Sequence, residues 1–143
     1  MSAHRARNLS RRLAMQALYQ WQVNPRAWQD IHNELAADEE AERVDREYFK
    51  QLFEGAVREH EGLDALIAAN SEIRPPELDP VEHALLWVAL YELKELPEVP
   101  YRVAIAETVQ LAKQFGATDG HKFVNAVLDK AARSLRADEY GQP

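Results

Sequence analysis

The sequence predicts an all-α fold of about seven helices, arranged as two packed helical halves. Three observations carry that expectation. Only five glycines occur in 143 residues. β-branched runs that alternate with a period of two are absent, so no segment reads as a half-buried strand. Apolar residues instead recur at spacings of three and four along nearly the whole chain, the signature of amphipathic helices.

The first helix is expected from about Asn8 to Val23 and stops before Pro25; a second covers about Pro25 to Ala36. From Glu34 to Glu47 seven acids face Arg43 and Arg46, which reads as a solvated connector. A third helix is predicted from about Asp45 to His60 and a fourth from Gly62 to Ser71. Arg74-Pro75-Pro76 then breaks the pattern and suggests a boundary between an N-terminal half, about 1–74, and a C-terminal half, about 75–136.

The fifth helix has the clearest start. Asp79 suits the N-cap, Pro80 the first helical position, and Glu82 the position from which a carboxylate can reach back to the cap. Its interior, VEHALLWVALYELKEL, is apolar nearly all round and therefore central. Pro97 and Pro100 end it. A sixth helix runs to Phe115, where Gly116 supplies the stop, and a seventh is capped by Thr118 or Asp119 and reaches about Leu135. The tail, 137–143, is expected to be disordered.

Composition narrows the function. Hydrophobic residues make up 46% of the chain, enough for a sizeable core, and no apolar run is long enough to span a membrane. The expected setting is the cytoplasm. With no cysteine, disulfides, thiol catalysis and cysteine-ligated metal centres are excluded. There is no glycine-rich phosphate loop, nucleophile elbow or His-Glu-x-x-His helix. Glu59-His60-Glu61 gathers ligand types, but consecutive helical residues diverge by about 100° and cannot converge on one ion. Neither an enzyme, a metal site nor a cofactor is expected.

Charge is unevenly placed. The net charge is −7, yet Arg5, Arg7, Arg11 and Arg12 put four positive charges and no acid into the first twelve residues. On the first helix, Leu13, Ala14, Ala17, Leu18 and Trp21 share a core-facing arc. Arg5, Arg12, Gln16 and Tyr19 share another, within about 60°, if the helix extends back that far. Arginine takes phosphate in a bidentate fork, glutamine bonds a base edge and an exposed tyrosine stacks a base. Two readings stand for this arc: single-stranded RNA recognition, or a Tyr19 packed on a neighbouring helix with arginines that only solvate the end. At the start of the last helix, backbone N–H groups and Lys122 can hold a phosphate, Asp119 can cap the helix or accept from a base, and Phe123 is either core or a stacking platform.

These residues lie in segments that resemble the NusB family of bacterial transcription antitermination factors. The matching stretches are RRLAMQALYQWQ in the first helix, VALYEL from Val88 to Leu93, VPYRVAIAETVQLAKQFG from Val99 to Gly116, and HKFVNAVLDKAA from His121 to Ala132. The resemblance implies two packed three-helix-type subdomains, the second with one extra helix. It also implies a non-enzymatic factor that recognises a single-stranded boxA element of ribosomal RNA leader transcripts. Its implied partner is NusE, a small-subunit ribosomal protein, within an RNA polymerase antitermination complex. On this sequence the family's basic segment falls on Arg5, Arg7, Arg11 and Arg12, and its first-helix tyrosine on Tyr19. The RNA-facing start of the last helix falls on Asp119, Lys122 and Phe123, and the NusE-contacting acid on Glu82. Alternatives are a NusB-like accessory module of a ribosomal RNA methyltransferase, against which the chain length argues, and a protein-interaction scaffold or homodimer that hides the RNA surface.

Overall fold

In the computed structural model, which describes residues 2–142, helix α4 (Pro80–Glu95) forms the axis of the fold. Every residue from Glu82 to Leu93 is buried, as an all-round apolar sequence requires. Around it pack α1 (Ala3–Val23), α3 (Arg46–Asn70), α5 (Tyr101–Phe115) and α6 (Gly120–Leu135), while the short α2 (Trp28–Ala36) covers α1 and α3. Buried side chains from both sides of Arg74 form one cluster. Among the described residues there are six α-helices, two 3-10 turns and no strand.

Helix α1 begins five residues earlier than the sequence pattern suggests. The Ser2 hydroxyl accepts from the Arg5 N–H at 3.1 Å and caps it, and Ser10 donates to the carbonyls of Ala6 (2.9 Å) and Asp45 (2.8 Å), stitching the basic segment to the start of α3. The second helix starts later, at Trp28. Arg26 stays in the linker, where it holds Glu34 through two 2.7 Å bonds and Gln20 at 3.1 Å.

The two helices expected at 45–71 are one. A glycine inside a helix costs about 1 kcal/mol relative to alanine. Burying Leu63 and Ile67, which extend the stripe of Leu52, Phe53 and Ala56, outweighs that cost, so α3 runs through Gly62. Gly55 has a different reason to be glycine: a Cβ there would come within 2.3 Å of the Tyr91 ring of α4.

The acidic connector is also more ordered than its composition suggests. Glu39–Arg43 form a 3-10 turn, capped by Asp38 accepting from the Glu40 N–H at 3.0 Å and anchored by the buried Ala41. Pro75–Glu77 form a second turn leading to α4. Asp79 caps α4 as expected, accepting from the N–H groups of Val81 and Glu82, both at 3.2 Å.

Beyond α6 the chain turns back rather than trailing away. Arg136 is buried and donates to the carbonyls of Glu92 (3.0 Å), Leu93 (2.8 Å) and Leu96 (2.9 Å), satisfying the open C-terminal end of α4. Helix α5 has Pro100 at its N-cap, with no side-chain acceptor of its own. Glu139 supplies one, accepting from the Tyr101 N–H at 2.8 Å while it pairs with Arg136 at 2.7 Å. The Tyr140 ring lies against Tyr101, with centroids 5.3 Å apart. The disorder expected for this tail thus gives way to a strap over residues 137–142; Pro143 lies outside the described residues.

Candidate nucleic-acid interface

The arginines of the basic segment go to different places because α1 turns each by about 100° from the last. Arg5 and Arg7 are exposed and Arg12 is half-buried. Arg7 lies 4.9 Å from the centroid of the Tyr48 ring and Arg12 lies 4.8 Å from that of Phe115, so both are steered by aromatic faces while remaining reachable.

Arg11 points the other way. It is 2% exposed, and its guanidinium grips the fully buried Glu92 of α4: Nε to the two carboxylate oxygens at 3.1 and 3.0 Å, Nη2 at 2.9 Å. Its Nη1 donates to Asn8 at 2.5 Å, and the Tyr48 hydroxyl donates to the same Glu92 carboxylate. Burial and the neighbouring Glu92 push the Tyr48 phenol far up; burial alone would lower Arg11, but Glu92 more than offsets it and holds the guanidinium charged. The sequence expectation that Arg11 contacts RNA is therefore corrected. Its charge is neutralised inside the protein.

Three depressions follow the outer face of α1. One, of 250 Å³, lies between Arg5, Arg12 and the Gln110 and Gln114 side of α5. A second, of 350 Å³, lies between Arg12, Gln16 and the 3-10 turn at Glu39–Arg43. A third, of 460 Å³, is lined by Met15, Gln16, Tyr19, Gln20, Val81 and Phe115. Arg12 and Gln16 are each shared between neighbouring depressions, so the stripe Arg5–Arg12–Gln16–Tyr19 forms one surface. Tyr19 is 40% exposed; its ring lines the third depression and is not sealed under a neighbouring helix. Phe115, Glu39, Glu40 and Arg43 were not expected at this surface. Phe115 ends the apolar face of α5, and the acids read as an ordinary solvated run.

The start of α6 is reached from this groove through α4. Glu82, beside the groove residue Val81, is 7% exposed; its carboxylate accepts from the Ala117 N–H at 3.0 Å and fills the space in front of Gly120. A Cβ on Gly120 would come within 2.5 Å of that carboxylate. Burial raises the Glu82 carboxyl above its usual range, against the opposing effect of the Ala117 N–H. Two expectations for Glu82 change accordingly. It does not reach back to the α4 cap, and it faces the α5–α6 loop instead of presenting a carboxylate to a partner.

Asp119 adopts a left-handed backbone (φ 63°) and makes no capping bond, so it does not serve as the expected cap. Its exposed carboxylate pairs with exposed Lys122 at 3.4 Å. Phe123 is half-buried against the core. The described residues hold no cluster of three histidine, aspartate or glutamate side chains placed for a metal ion.

A model of the NusB family matches residues 8–133, nearly the full described chain. The chain belongs to the NusB family. The transcription antitermination protein NusB of Teredinibacter turnerae is 49% identical over 135 residues, covering 94% of this chain and 92% of the relative. The NusB fold is shared with a solved structure of T. maritima NusB, with a TM-score of 0.83 at 26% identity over 95% of this chain and 97% of that one. It is shared also with NusB in a crystal structure of antitermination factors NusB and NusE in complex with dsRNA, with a TM-score of 0.80 at 26% identity over 91% and 98% of the respective chains. The family match takes in α1 from Asn8 onward and the start of α6.

Proposed function

We propose that this chain is an RNA-binding transcription antitermination factor that works with a NusE-type ribosomal protein. Together they recognise a single-stranded boxA-type element in ribosomal RNA leader transcripts and support read-through by RNA polymerase. The observation that carries the reading is the exposed α1 face, where Arg5, Arg12, Gln16 and Tyr19 line connected depressions. The antitermination role and the NusE partner come from the NusB relatives named above.

On this reading Arg5, Arg7 and Arg12 take backbone phosphates, with Arg12 held in place by Phe115. Gln16 bonds a base edge, and Tyr19 offers a stacking face. Lys122 takes a further phosphate near the start of α6, with Asp119 and Phe123 beside it. The protein acts by binding and positioning, without catalysis and in the cytoplasm; no helix among the described residues is long and apolar enough to cross a membrane. Outside the basic stripe the chain is acidic, which suits a basic ribosomal protein and keeps the two partners on separate surfaces.

The test is fluorescence anisotropy of a labelled boxA RNA, titrated first with this protein and then with protein premixed with NusE. Binding that strengthens with NusE and is lost with a scrambled RNA is expected. No binding in either arm at modest salt would overturn the reading. Salt-sensitive self-association in its place would point to a homodimer covering the α1 face.

A further inference from the structure

The 350 Å³ cavity between α1 and the 3-10 turn has a lining unusual for a surface that attracts a polyanion. Leu9, Leu13 and Val44 provide an apolar floor and wall. Around them stand Arg12 and Gln16 from α1, and Glu39, Glu40 and Arg43 from the turn. Glu39, Glu40 and Arg43 are solvent-exposed, and none is held in a salt bridge among the described residues. Nor does the segment hang loosely, because Asp38 caps the turn and Ala41 anchors it in the core. The volume is at the lower end of that found for small-molecule sites. Its apolar floor, free hydrogen-bonding rim and position on the α1 stripe suit a planar heterocycle.

We infer that this cavity receives one unstacked base of the bound RNA, and that Glu39 and Glu40 make it a guanine-selective subsite. The inference rests on the RNA-binding reading above. The chemistry favours one base. A carboxylate has two acceptor oxygens and no donor. The Watson–Crick edge of guanine offers two adjacent donors, N1–H and N2–H2, which match that pair. Adenine and cytosine each set an acceptor nitrogen beside their single amino group, and uracil flanks its one N–H with two carbonyls; all three bring a lone pair against the carboxylate. Gln16 can donate to guanine O6 from the opposite wall. The flanking Arg12 and Arg43 offset the repulsion the acids would otherwise exert on neighbouring phosphates.

The experiment uses four single-stranded oligouridylates of about 12 nucleotides, a length in the range such surfaces occupy. They carry one central guanosine, adenosine or cytidine, or no substitution. A uniform flank lets the single variant base slide into the cavity in any register. Anisotropy titrations are run with the full chain and with Glu39→Gln/Glu40→Gln, whose exposed positions leave folding intact by thermal melt. The guanosine oligomer should bind wild type at least about tenfold more tightly than the other three, as one bidentate pair allows. In the double variant that preference should fall to about twofold or less. An equal guanosine preference in both proteins would overturn the inference, as would no preference in wild type. Uniform strengthening on all four oligomers would also overturn it, because the acids would then act only by repelling phosphate. Failure of wild type to bind any of the four while it still binds the boxA RNA would also overturn the inference and leave the RNA reading standing; failure on the boxA RNA as well, with and without NusE, would remove both.

Discussion

Replacing Arg11 by methionine should unfold this protein far more readily without acting on its RNA surface. The substitution keeps most of the aliphatic stem but removes the guanidinium. Three contacts of 2.9–3.1 Å to Glu92 disappear, and Glu92, fully buried, keeps only the Tyr48 hydroxyl as a donor. Stranding one member of a buried ion pair costs about 3–5 kcal/mol. For a chain of this size that corresponds to a fall in Tm of about 10–20 °C. The assay is urea unfolding followed by circular dichroism, in which the midpoint should drop while the slope stays constant. A triple variant, Arg11→Met with Glu92→Leu and Tyr48→Phe, removes the whole polar cluster and should regain much of the loss, because well-packed apolar replacements of buried pairs are often neutral. An Arg11→Met protein with unchanged unfolding and weakened RNA binding would refute the argument and return Arg11 to the RNA face.

Other outcomes follow from the same geometry. Arg12→Ala with Tyr19→Ala should leave the melting curve nearly unchanged, yet weaken RNA binding by roughly 1–3 kcal/mol for the lost stacking, and by more with the arginine included; the salt dependence should flatten by about one phosphate contact. Matching losses of helicity would show both residues to be structural. Glu139→Ala should cost about 0.5–2 kcal/mol as a lost α5 cap, read by chemical denaturation. The Tyr101 N–H, then Arg136, hold the Glu139 carboxyl below its usual range. Its contribution is therefore present above the unfolded carboxyl pKa, about 4.3, and is lost as pH falls through the folded value, so the variant should show a smaller acid-side loss of stability than wild type. Glu82 has the opposite sign: burial raises it, so its charged form weighs against the fold as pH rises from the unfolded value through the folded one. Glu82→Gln, which keeps an acceptor for the Ala117 N–H, should be at least as stable as wild type at neutral pH and lack that decline. A large loss on this substitution would show that the carboxylate charge itself holds the loop.

The sequence conveyed the helical class and the central role of α4 because both depend on apolar periodicity, which is local. It marked α4's start through Asp79-Pro80 for the same reason. It split α3 at Gly62 because a weak local penalty looked decisive when the burial of Leu63 and Ile67 on other helices was out of view. The Arg11–Glu92 pair spans 81 positions and the Glu139 cap 38, and no local pattern announces either. The acid inside the apolar run VALYEL was the available signal for a buried partner. For the interface, the arc of Arg5, Arg12, Gln16 and Tyr19 was legible from helical geometry alone. What faces it was not, since Phe115 and the Glu39–Arg43 turn are brought there by tertiary packing.

The contact between Gly55 and Tyr91 also governs how this molecule can respond to whatever it binds. Packed helices commonly answer a ligand by sliding, and the larger of such shifts advance one element past another by a full turn. Here a turn's displacement of α3 along α4 would bring Gln51 or Glu59 beneath the Tyr91 ring, in a place where even one added carbon has no room. The register of the two helices is thereby latched. Events at the α1 face must then reach other surfaces through side-chain repacking, the connecting turns or the C-terminal strap, with the α3–α4 pair as a fixed anvil against which those smaller parts move.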